Sequence, residues 1–163
     1  MNAVLWTARL CVGCYLLRYV AAASGRDRAR NWQCWLWTAG WLLLLVHTAA
    51  AFQFVHDWSH EAAVESTARQ TEEQLGISFG GGVWLNYATI VLWGMDVALW
   101  WRRERSPVLW LVAVQTYLAL IVVSATVVFG PTFWWGVAAA FVALIVVARL
   151  LASRERQRPK RSG

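Results

Sequence analysis

Along the chain, five long apolar runs alternate with polar connections: residues 3–23, 32–54, 83–101, 108–129 and 133–152. Each has the roughly 20 residues needed to cross about 30 Å of hydrocarbon. An unpaired backbone group finds no water in lipid, so each run is expected to be a helix. Gly130, Pro131 and Thr132 alone separate the fourth run from the fifth, which suits a tight turn between antiparallel helices. The pattern predicts an all-α, polytopic membrane bundle of about five transmembrane helices. Residues 1–152 form a single membrane domain, with an acidic, partly helical outer loop at 55–82. A basic cytoplasmic tail follows at 153–163.

Basic residues set the orientation, because Lys and Arg beside membrane segments stay on the cytoplasmic side. Arg26, Arg28 and Arg30 occupy the first connection, and Arg102, Arg103 and Arg105 the third. Arg154, Arg156, Arg158, Lys160 and Arg161 fill the tail. These regions alternate as five crossings require, which places the amino terminus outside and the carboxyl terminus inside. The second connection carries Asp57, Glu61, Glu65, Glu72 and Glu73 against Arg69 alone, a net charge of −4 that assigns it to the outer face. Indole rings settle at the headgroup boundary. Trp32, Trp35, Trp37, Trp100, Trp101 and Trp110 are therefore expected near the inner boundary, and Trp6, Trp58, Trp84, Trp134 and Trp135 near the outer one. Trp41 and Trp93 fit neither belt.

Composition agrees, since 59% of residues are hydrophobic, more than a soluble chain of this length can bury. The formal charge of +6 then expresses topology and attraction to anionic lipid. No folded basic domain remains for nucleic acid, which is not an expected partner. Arg9 lies inside the first apolar run with no basic residue ahead of it, so that run is expected to be retained rather than cleaved as a signal peptide. Arginine outnumbers lysine 14 to 1 and alanine is abundant, as in a GC-rich genome, so the expected location is a bacterial inner membrane.

The chemical lead is a cluster of histidines. His47, His56 and His60 fall within 14 positions, where an apolar run gives way to the acidic loop. No proline interrupts residues 31–75, so the second helix can continue outward, with a bend expected near Trp58 or Ser59. Residues 62–75 have high helix propensity, and Gly76 and Gly80 to Gly82 supply a flexible return. On an unbroken helix His56 and His60, four apart, share a face and can bind one metal ion. His47, nine positions before His56, falls on the opposite face. A site using all three histidines requires a break after Phe54. Asp57 and Glu61, also four apart, offer oxygen ligands or a general base. The expected ligand set is therefore His56, His60, Asp57 and Glu61, joined by His47 if the helix breaks. The ion expected is one transition metal, zinc, copper or iron. Asn86 and Tyr87 stand at the depth of His56 and complete a polar outer pocket. The plainer reading is that all these groups hydrogen-bond the loop to neighbouring helices.

Asp96 is a carboxylate inside a membrane helix, costly without a partner or water. It precedes Arg102 by six residues, about 9 Å along a helix. Arg18 and Arg149 lie at similar depth, which predicts a structural ion pair of Asp96 with one of them. Arg9, at the outer end of the first helix, is expected to neutralise part of the acidic cluster. Cys11 and Cys14 read as small packing residues.

Three functional classes fit these features. The first is a small multi-pass membrane protein of unidentified activity with a polar, metal-binding site at its outer face. The second is a non-catalytic structural or assembly subunit of a larger membrane complex, using the tryptophan-rich flanks and acidic loop as contact surfaces. The third is a metal-dependent membrane enzyme acting on a lipid or envelope substrate, with Asp57 or Glu61 as base. Membrane lipids and other membrane subunits are the expected partners.

Overall fold

A computed structural model describes residues 2–23, 29–102 and 107–157. These form six α-helices and no strand: α1 (Asn2–Ala23), α2 (Ala29–Phe54), α3 (His60–Leu75), α4 (Gly82–Arg102), α5 (Val108–Val123) and α6 (Phe133–Gln157). All but α3 are long and apolar enough to cross a membrane, α5 by running on into a π turn at Ser124–Val128. The five apolar runs are thus five helices in an all-α bundle. The carboxyl-terminal helix continues through residues 153–157, which the charge pattern assigns to the tail. Arg26, Arg28, Arg103 and Arg105 and the tail from Arg158 onward lie outside the described residues.

α1 lies along α2 and also supports α6, while α4 contacts α2, α3 and α5. The buried cluster is Cys11 and Tyr15 from α1, Trp37 from α2, Trp93 and Val97 from α4, and Val114 and Leu118 from α5. Large rings dominate it, with Trp37 and Trp93 centroids 4.6 Å apart and Tyr15 against both. Trp37 therefore belongs to the core rather than to a boundary belt. Burying an indole among other rings adds offset and edge-on contacts to the gain from close packing. Gly40 makes this approach possible, because a Cβ there would meet the Trp93 ring at 2.8 Å. Small residues at helix contacts are the usual means of bringing membrane helices close.

α3 is the amphipathic cap of this bundle. Ser59 opens it by accepting a hydrogen bond from the Ala62 N–H at 3.1 Å, and Gly76 closes it at φ 71°. Its Ala63 and Thr71 are buried. The Thr71 hydroxyl accepts from the Phe79 N–H at 2.9 Å and lies 3.1 Å from the Phe79 carbonyl, so one side chain ties the returning loop to the helix. Gly80 passes so close to α3 that a Cβ would meet the Val64 carbonyl oxygen at 2.9 Å.

Candidate functional site

The break between α2 and α3 decides which histidines meet. α2 ends at Phe54, and the chain reverses through Asp57 at φ 46° and Trp58 at φ 58° before Ser59 starts α3. A left-handed tryptophan is rare because its Cβ crowds the backbone. Here it is held from several sides: the Trp58 N–H donates to the Phe52 carbonyl at 3.0 Å, its indole N–H to Gln53 Oε1 at 3.0 Å, and its ring packs on Phe52. The turn removes His56 from any helix shared with His60. The face that their four-residue spacing predicts does not form, and the same holds for Asp57 with Glu61.

His56, just past the end of α2, lies on the same cavity as His47. Both line a cavity of about 180 Å³ beneath α3, with Thr48, Thr67, Asn86, Tyr87 and Thr89 as further polar groups and Trp93 and Leu118 deeper in. His47 Nδ1 is 3.0 Å from the Val4 carbonyl oxygen and 3.3 Å from the Thr7 hydroxyl. A carbonyl can only accept, so Nδ1 carries the proton and Nε2 keeps its lone pair. That is how a metal-binding imidazole is usually oriented, by a hydrogen bond to its other nitrogen. His56 meets the Phe52 ring edge-on. His60 lies outside the cavity lining, with Nδ1 3.1 Å from the Tyr87 hydroxyl and its ring against Trp84 and Tyr87, where it fastens α3 to α4. Asp57 and Glu61 are exposed and likewise outside the lining. No three His, Cys, Asp or Glu side chains gather into one metal-binding group among the described residues.

At the other end of the bundle Asp96 is wholly buried. Its Oδ2 accepts from the Trp37 indole at 2.8 Å and from the Gln115 amide at 3.2 Å. Gln115 Oε1 in turn accepts from Arg18 at 3.1 Å and from the Tyr19 hydroxyl. The expected direct ion pair is therefore replaced by a bridged one, because the amide can donate to the carboxylate and accept from the guanidinium at once. Arg18 also stacks on Trp37, 3.9 Å from the ring centroid, and on Trp100 at 4.8 Å. Among the described residues Asp96 Oδ1 and Arg18 Nε are buried without a hydrogen-bond partner, and Gln115 is the side chain that hydrogen-bonds to both groups. Arg149 lines a separate cavity with Tyr19 and Phe141. Among the described residues the one ion pair is Arg69 with Glu65, on the exposed side of α3. Arg9 packs over Trp6 and Phe133 rather than against the acidic cluster.

Gln115 and Thr71 have roles that the histidine and charge patterns did not single out. Gln115 carried a visible signal, as the one carboxamide in the fourth apolar run, where a polar side chain implies a partner. Thr71 carried none. No known protein family, curated protein or solved structure matches the chain.

Proposed function

We propose that this is a small inner-membrane protein, amino terminus outside and carboxyl terminus cytoplasmic, that binds a transition-metal ion in the cavity beneath α3. The ligands are His47 and His56, a revision of the His56 and His60 pair that helical spacing favoured. One observation carries this reading: His47, held by the Val4 carbonyl so that Nε2 keeps its lone pair, lines the same cavity as His56. Two imidazoles leave coordination positions for water or a small ligand. Among zinc, copper and iron, the Irving–Williams order gives copper the highest affinity for imidazole donors. Asp57 and Glu61 stand away from the cavity, so a carboxylate base acting on a lipid substrate has no support here.

Metal analysis of the purified protein tests the assignment. A stoichiometric ion is expected in the parent and in His60→Ala, and its loss is expected in His47→Ala and in His56→Ala. Retention of the ion in either of the last two, or no ion in the parent, overturns it. A second reading, a non-catalytic subunit of a larger membrane complex, draws support from α6, whose span has no buried residue. Mass measurement in mild detergent separates the two, because that reading requires a stable partner protein.

A further inference from the structure

The seam between α6 and the rest of the bundle is open. Two cavities lie along it and share Tyr19 and Phe141. The one nearer α3, about 560 Å³, is lined by α1, α5, the π turn and α6, mainly with aliphatic and aromatic groups. The one toward the other end, about 620 Å³, is lined by Ala22, Ala23, Ile145, Arg149 and Ala152. Each is within the range of about 300–1,000 Å³ typical of ligand sites. Together they follow α6 from Trp134 to Ser153, on the order of 28 Å at about 1.5 Å per residue, close to the full hydrocarbon depth of about 30 Å.

Two features make this a built groove rather than loose packing. Val123, Thr126 and Val127, at and within the π turn, form part of one wall, and the turn is closed by the Phe129 N–H donating to the Ser124 carbonyl at 2.9 Å. A π turn inserts an extra residue into the helix, re-aims the side chains beside it, and recurs at functional sites. At the opposite end stands Arg149, exposed and without a carboxylate partner among the described residues, and Arg154 and Arg156 follow it in sequence. The groove is thus apolar along its length and cationic at one end.

We propose that this groove binds one anionic phospholipid, its hydrocarbon along α6 and its phosphate on the Arg149 guanidinium. Arginine suits a phosphate because its planar fork donates two parallel hydrogen bonds. Spread over that length, the two volumes give a cross-section on the order of 40 Å², which suits hydrocarbon chains lying along α6. A flexible hydrocarbon chain enters such a space.

Native mass spectrometry of the purified protein, with phosphatidylglycerol and phosphatidylcholine added in equal amounts, is the test. The parent is expected to retain phosphatidylglycerol several-fold over phosphatidylcholine. Arg149→Gln is expected to lose that preference, Arg149→Lys to keep most of it, and Ala138→Trp, which fills the groove, to lose both adducts. If Ala138→Trp does not fold, the two Arg149 variants decide the matter. Equal retention of both lipids by the parent overturns the proposal, as does an unchanged preference in Arg149→Gln. So does recovery of an isoprenoid compound, or of a lipid-free dimer, in place of phospholipid.

Discussion

Removing the Asp96 charge tests whether Gln115 couples it to Arg18. Hydrogen bonds of 3.2 and 3.1 Å join the carboxylate to the amide and the amide to the guanidinium. With the carboxamide between them the charges stand on the order of 8 Å apart, where a pair at an effective dielectric of about 20 is worth about 2 kcal/mol. Asp96→Asn keeps an acceptor for the Trp37 indole and the Gln115 amide, so its cost should be close to that charge interaction, about 2 kcal/mol. Asp96→Ala also deprives both donors of their acceptor and opens a space beside Trp37, which raises the expected loss to about 4 kcal/mol. Arg18→Gln loses its stacking on two indoles besides the charge interaction, so single variants do not isolate the pair. A double-mutant cycle of Asp96→Asn with Arg18→Gln does, and its expected coupling is about 2 kcal/mol. Unfolding by SDS in mixed micelles, followed by tryptophan fluorescence, supplies the free energies, and a parallel cycle with Arg149→Gln should give coupling near zero. Coupling to Arg18 under about 0.5 kcal/mol, the usual scatter of independent sites, would refute the bridged pair. Equal coupling to Arg149 would refute the assignment of partner.

Thr71→Val keeps the shape of the side chain and removes the hydroxyl that pairs with the Phe79 backbone. Losing this part-buried hydrogen bond costs about 0.5–1.5 kcal/mol, and the loss should appear as faster hydrogen exchange across α3 with the membrane helices unchanged. Unaltered exchange in α3 would contradict the latch. For the proposed orientation, reporter fusions after Gly25 and Arg105 should read as cytoplasmic and one after Gln74 as external. A cytoplasmic signal at Gln74 would reverse the arrangement of the whole protein.

The membrane helices are legible in the sequence because a single physical demand dominates them. A span must be apolar for its whole crossing and must satisfy its own backbone, so length and hydropathy suffice to place it. The runs at 3–23 and 83–101 accordingly coincide with Ala3–Ala23 and Gly82–Arg102 to within a residue. Which face of each helix turns inward is not written in the same way. A span surrounded by lipid gains little from directing apolar residues to one side, so the faces show weak contrast, and small residues and rings decide the packing instead. Trp37 illustrates this: its neighbours Trp32 and Trp35 are exposed, while its own ring is held in the core by Tyr15, Trp93 and the Asp96 carboxylate beside the close approach at Gly40.

The helical face shared by His56 and His60 is absent for a different reason, the break after Phe54 on which the alternative with His47 depended. Helical spacing is a sound guide only while the helix continues, and the reversal after Phe54 uses Asp57 and Trp58 in the left-handed region, where glycine or asparagine is the common choice. Tertiary contacts supply what local preference lacks, since Gln53 and Phe52 anchor the Trp58 ring and the Ser59 cap fixes the start of α3. On an unbroken helix His56 would stand opposite His47, nine positions earlier, so it is the end of α2 at Phe54 that leaves both histidines able to line one cavity.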